Sequence, residues 1–258
     1  MPPNKKTALL NALLLIALLA ALGASVVLNF SLFKQAKKYY FEINRNRLDP
    51  LGLGYYPSKS EEPAEGDQLR IIFFGDSRAA SWPPPKISGY EFINRGISSQ
   101  TSVQALQRFS AHVSPLNPDV VVIQVGINDL KTIALFPERK DSIIEACKIN
   151  IKEIVKTSKD TGAAVIVMTI FPAGEVPLER KLFWSDEIGQ AIEDVNNYIA
   201  TLADEETVVF DPFRDLADEQ GKMLKKYSLD ELHLNEQGYR FLNQKLAALI
   251  TGIELKQK

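Results

Sequence analysis

From residue 69 to residue 250 the chain alternates between two textures. Short, mostly apolar, β-rich runs fall at 69–74, 90–94, 119–125, 163–171 and 207–210. Between them, apolar residues recur every three or four positions, at 102–112, 139–159 and 186–203, and again at 236–250. The first texture predicts strands and the second amphipathic helices. The runs "VVVIQV" and "AVIVMTI" are almost unbroken rather than alternating. A strand of that kind is covered on both faces, as in a parallel sheet between helices. Strand and helix in turn therefore predict an α/β domain of three layers, α/β/α. Periodicity does not give the strand order.

The N-terminal pattern is different in kind. Residues 7–33, "TALLNALLLIALLAALGASVVLNFSLF", contain no charge. As a helix they would run ~40 Å at 1.5 Å per residue, longer than the roughly 30 Å hydrocarbon core of a bilayer. Lys5 and Lys6 precede the run, and Lys34, Lys37 and Lys38 follow it. The expectation is a single-pass signal anchor, with cleavage near Ala21-Leu22-Gly23 as the alternative. Arg45 and Arg47 add to the basic residues after the span, which a positive-inside count would keep in the cytoplasm. The short basic tail resembles an export signal, and on that ground the C-terminal domain is expected on the extracytoplasmic side, as a membrane-anchored domain. The expected organisation is a basic tail (1–6), a transmembrane anchor (7–33), a juxtamembrane segment and linker (34–68), the α/β domain (69–250) and a C-terminal tail (251–258). Asp49-Pro50, Gly52, Gly54 and Pro57 would end any helix that leaves the membrane.

Charge and cysteine usage narrow the chemistry. The formal net charge of −2 over 258 residues gives no basic footprint for nucleic acid. A lone cysteine, Cys147, excludes an internal disulfide, and its helical context makes it a small core residue. With one cysteine and two histidines, no zinc-ligand spacing exists.

In open parallel sheets, ligands bind beyond the carboxyl ends of the strands. The first strand ends in Gly75-Asp76-Ser77, the second in Asn94-Arg95-Gly96, and the third in Gly126-Ile127-Asn128-Asp129. After the fifth, the chain reaches Asp230-Glu231-Leu232-His233. A serine hydroxyl needs a base to take its proton, and the base needs a carboxylate to fix its tautomer. Ser77, His233 and Asp230 supply that set. The Ser77 N–H, the Gly96 N–H and the Asn128 side-chain amide are candidate donors to an oxyanion. Each has a plain alternative: a turn at Gly96, helix caps at Asn128-Asp129 and Asp230. His112, near the end of a helix, is expected to be an ordinary C-terminal histidine. No Gly-x-Gly-x-x-Gly follows the first strand, so a dinucleotide site is disfavoured.

Taken in order, Gly75-Asp76-Ser77, Gly96, Gly126-Ile127-Asn128-Asp129 and Asp230-Glu231-Leu232-His233 resemble the four blocks of the SGNH (GDSL-type) hydrolase superfamily. The "NRGISSQT" and "LHLN" contexts are similar too, and the likeness covers about residues 69–250. The resemblance implies a flavodoxin-like fold with a five-stranded parallel sheet. It implies Ser77 as nucleophile, His233 as base, Asp230 as the acid that orients it, and Ser77, Gly96 and Asn128 as the oxyanion hole. No metal or cofactor is implied. Arg78 departs from the aliphatic residue common there: a solvated first-turn residue, or a contact to an anionic substrate group. Trp82, in the stiff Ser81-Trp82-Pro83-Pro84-Pro85 loop, and residues 171–186 are expected to shape the substrate site. Phe183 and Trp184 read either as a subsite or as the start of the next helix. The implied activity is a serine esterase acting on a small-molecule, lipid or glycan ester, thioesters and lysophospholipids included. An acyltransferase or deacetylase of cell-envelope glycans is the alternative. A non-catalytic binding domain is disfavoured by the complete serine, aspartate and histidine set.

Overall fold

The computed structural model describes residues 5–56 and 68–253. The segments 1–4, 57–67 and 254–258 lie outside the described residues, and with them most of the expected linker, the first part of the basic tail and the end of the C-terminal tail. The chain divides into two compact units between Pro50 and Leu51. In the first, a single helix, α1 (Lys5–Leu48), has no buried residue. It is apolar around its whole circumference through the uncharged stretch. It is the one helix among the described residues long and apolar enough to cross a membrane. Asn29 turns its side-chain amide back to the Ser25 carbonyl, so the polar group is satisfied within the helix.

The second unit is the α/β domain. In chain order it contains β1 (Leu69–Gly75), α2 (Ser77–Ala80), β2 (Tyr90–Gly96), α3 (Ser102–His112), β3 (Val120–Gln124), α4 (Ile127–Leu130), α5 (Lys140–Asp160), β4 (Ala164–Met168), α6 (Glu187–Ala200), β5 (Thr207–Phe210), α7 (Phe213–Leu216) and α8 (Glu236–Gly252). The five strands form one parallel sheet in the order β2-β1-β3-β4-β5. Alternate side chains enter two cores, as the two-residue period of a strand requires. Ile72, Phe74, Val121, Ile123, Val165 and Val167 pack with α3, α5 and α6 on one face. Ile71, Phe73, Val120, Val122, Ile166 and Met168 pack with α8 on the other. Cys147 is fully buried in the first core, and burial pushes its thiol pKa well up.

Every expected strand is present, and β4 is the one whose limit moves most. The apolar run was expected to reach residue 171, but the ladder ends at Met168. The Thr169 N–H still donates to the Phe210 carbonyl, but at the next residue a side chain takes over: the Ile170 N–H donates to Asn196 Oδ1, and the Ile170 carbonyl accepts from Asn196 Nδ2. Thr169 to Phe171 stay buried without being strand.

Candidate active site

The tight turn after β1 places the serine. The Asp76 N–H donates to the Gln124 carbonyl of β3, and Asp76 Oδ1 accepts from the Arg78 N–H as the N-cap of α2. Ser77 is the first residue of that helix. The histidine arrives from a loop locked by hydrogen bonds. Asn235 caps α8 with its Oδ1 and donates its Nδ2 to the Lys226 and Ser228 carbonyls. The Leu229 N–H donates to the His233 carbonyl.

These two pieces bring three side chains together. His233 Nε2 lies 2.9 Å from Ser77 Oγ. His233 Nδ1 lies 2.8 Å from Asp230 Oδ2 and 3.0 Å from Oδ1. A carboxylate only accepts, so Nδ1 carries the proton and Nε2 is left to accept from the serine hydroxyl. Asp230 Oδ1 also accepts the Leu232 and His233 backbone N–H groups at 2.8 and 2.7 Å. Partial burial pushes the Asp230 pKa up, but the bond from His233 and the two backbone donors outweigh it, and the net shift is downward.

The groups expected to face an oxyanion divide. Among the described residues the Ser77 N–H has no intramolecular partner. Asn128 is buried and uses one side-chain amide hydrogen on the Gln100 carbonyl, at 3.0 Å. Its neighbour Asp129 caps a different helix from the one expected, accepting from the N–H and hydroxyl of Ser102 at the start of α3. Gly96 must be corrected. Its N–H is engaged by Asn94 Oδ1 at 2.9 Å, so it does not point to the site. The glycine is required instead for close packing, because a Cβ there would sit 2.1 Å from the Ala80 nitrogen. Three residues on, Ser99 is exposed, holds a left-handed φ of 67°, and has an N–H without a partner among the described residues. No sequence signal marked Ser99 as special, since glycine is the usual flag for such a backbone.

Arg78 and Trp82 are also corrected. Arg78 is only 1% exposed. Its Nε donates to the Leu232 carbonyl at 2.8 Å, its Nη1 to the Phe171 carbonyl at 3.2 Å, and its guanidinium lies over the Phe171 ring. It faces inward to tie the serine helix to the histidine loop, neither solvated nor open to substrate. Trp82 is 2% exposed and stacks on Phe73, with its Nε1–H donated to Asn243 Oδ1. The prolines that follow end α2 and the indole drops into the α8 core. His112 is buried at the end of α3, as an ordinary helix-terminal residue.

The loop after β4 lines a cleft of about 820 Å³ with Gly174, Trp184, Gln190 and Phe213, and without Ser77, Asp230 or His233. Trp184 packs on the core, whereas Phe183 is exposed. The loop is bound to the histidine loop through the Gly174 N–H, which donates to the Glu231 carbonyl, and through an ion pair between Arg180 and the buried Glu231. No group of three or more candidate metal-binding side chains occurs among the described residues.

Residues 65–241 match the model of the GDSL-like lipase/acylhydrolase family. No curated protein matches the sequence. Among solved structures, a GDSL-like lipase from Bacteroides thetaiotaomicron is 22% identical, with 81% of this chain and 96% of that chain covered and a TM-score of 0.60. An acetyl xylan esterase is 23% identical, with 70% and 100% covered and a TM-score of 0.57. An inhibitor-bound aryl esterase from M. smegmatis is 18% identical, with 72% and 100% covered and a TM-score of 0.56. At these identities the likeness to the solved structures is one of fold.

Proposed function

Since the chain belongs to the GDSL-like lipase/acylhydrolase family and is a hydrolase of ester bonds, we propose that Ser77, His233 and Asp230 carry its reaction as a catalytic triad. The observation that supports this best is the unbroken relay from Asp230 through His233 to Ser77, with both contacts under 3 Å. Ser77 Oγ attacks the acyl carbonyl while its proton passes to His233 Nε2. Asp230 holds the ring and stabilises the imidazolium that forms. The oxyanion is met by the Ser77 N–H, the free amide hydrogen of Asn128 and the Ser99 N–H. Ser99 replaces Gly96 in this reading for two reasons. Its N–H is unengaged among the described residues, and its loop is tied through Gln100 to Asn128 and through Ile97 to Gly75, two residues before Ser77.

His233 then gives its proton to the leaving alcohol, and the Ser77 ester is the acyl-enzyme. Water, deprotonated by the same Nε2, releases the acid and restores the serine. All of this uses side chains and backbone N–H groups alone. The apolar helix supports a membrane-anchored setting, and with it a lipid or envelope-glycan ester as substrate. Ser77→Ala should abolish hydrolysis of short p-nitrophenyl esters and labelling by a fluorophosphonate, with the circular dichroism unchanged. Turnover that survives this substitution would remove the assignment.

A further inference from the structure

Residues 51–56 follow the apolar helix directly, and they are fastened to the loop after β2. The Leu51 carbonyl accepts from Gln100 Nε2 at 2.7 Å. The Tyr56 hydroxyl donates to the Gly96 carbonyl at 2.6 Å. The Leu53 carbonyl lies 3.3 Å from His112 Nε2. Gly52 holds φ +70°, and a Cβ there would lie 3.0 Å from Ile97 Cδ1 and 3.1 Å from Gln100 Nε2. The Tyr56 ring is fixed between the Arg95 guanidinium, 4.6 Å from its centre, and the edge-on ring of His112. Burial raises the phenol pKa, which keeps it a hydrogen-bond donor.

We propose that residues 51–56 are a positioning strap that holds the loop 97–100, and with it the Ser99 N–H and the Asn128 amide, in the geometry that receives the oxyanion. The proposal rests on the Ser77 reading above. Ser99 bears a Cβ and sits at φ 67°, a conformation that persists only where its surroundings over-determine it. The surroundings here are clamps at both ends of the loop. On the inner side, Asn128 holds the Gln100 carbonyl and the Gly75 carbonyl holds the Ile97 N–H. On the outer side, the strap holds Gly96 through Tyr56 and Gln100 through Leu51. Gln100 also joins the strap to the serine turn. Its Oε1 accepts from Arg108, and Arg108 Nη2 donates to the Gly75 carbonyl two residues before Ser77. The strap residues touch no reacting atom and act through the loop.

The test uses the full chain in detergent micelles, with a short p-nitrophenyl ester and a fluorophosphonate whose phosphoryl oxygen would occupy the oxyanion position. Tyr56→Phe keeps the ring and removes one hydrogen bond, so kcat should fall about 3- to 10-fold with KM unchanged. The rate constant of labelling should fall by the same factor, while the final labelled fraction stays that of the parent. Gly52→Val should lose more, and Tyr39→Phe, altering an exposed tyrosine of α1 outside the strap, should lose nothing. If Gly52→Val fails to fold, its labelled fraction drops and Tyr56→Phe decides. An unchanged kcat and labelling rate in Tyr56→Phe would overturn the strap, as would a loss confined to KM or to the labelled fraction. Turnover surviving Ser77→Ala would instead remove the premise on which the strap rests.

Discussion

Asp76 and Arg78 flank the serine, and both are almost completely buried. Each leaves one polar atom without a partner among the described residues, Asp76 Oδ2 and Arg78 Nη2. Burial pushes the Asp76 carboxyl up to about 6, against a counter-pull from Arg78 and its backbone N–H. The sign of the consequence follows from proton linkage. Between about pH 4 and pH 6 the folded chain keeps a proton on Asp76 that the unfolded chain has lost, so this residue's contribution to stability falls as pH rises through that window. Above pH 6 the penalty is complete, on the order of 3 kcal/mol. Asp76→Asn keeps the Oδ1 cap and removes the charge. It should match the parent in thermal stability at pH 4 and exceed it at pH 7, as read by near-UV circular dichroism at a series of pH values. Identical pH dependence in the two proteins would contradict the assigned burial cost. In the sequence, Asp76 and Ser77 announce a site because carboxylate and hydroxyl stand at a strand end. Arg78 gives no comparable sign, because its direction is set by the Leu232 and Phe171 carbonyls, more than 90 residues away in sequence.

At the scale of elements, the inner strands β1, β3 and β4 were legible because each is buried on both faces and reads as an apolar run. Their ends were not, because what stops β4 is a side chain of α6, Asn196, competing for its backbone. The four-residue α2 makes the same point in a functional place. Its continuation, Trp82, is placed in the sequence to line a substrate site beside Ser77, yet an indole next to three prolines is as good a core plug. Trp82 packs against Phe73, Phe171 and Tyr239 under α8. Trp82→Ala should therefore cost about 3–5 kcal/mol through the cavity it opens, with the lost bond to Asn243 included. Trp82→Phe should cost less. Ester KM should stay unchanged in the folded fraction of either variant. A normal melting temperature with a raised KM would return Trp82 to the substrate.

Over the whole molecule, the sequence divides clearly where its chemistry divides, into an uncharged run and an α/β pattern. It hides the role of residues 51–56, whose glycines read only as helix breakers in the juxtamembrane segment. Their hold on the domain is made by two backbone carbonyls, one hydroxyl and a glycine φ, none of which leaves a periodic trace. The N-terminal helix is the opposite case, legible from composition alone. Its uncharged stretch of ~40 Å exceeds the roughly 30 Å of hydrocarbon it would cross, and lysines stand at both ends. A signal peptide has the same basic start and apolar centre, but its apolar core runs only about 7–15 residues, well short of 7–33. The longer run favours retention, because each apolar residue past that length, up to the roughly 20 that fill the hydrocarbon core, adds transfer energy that holds the helix in the bilayer. Expressed in cells, the full chain should stay with the membrane fraction through high salt and alkaline carbonate and leave it only in detergent. Its measured mass should still include residues 7–33. A soluble product lacking the residues before about Gly23 would show instead that the helix is removed, leaving residues 51–56 to hold their loop without an anchor.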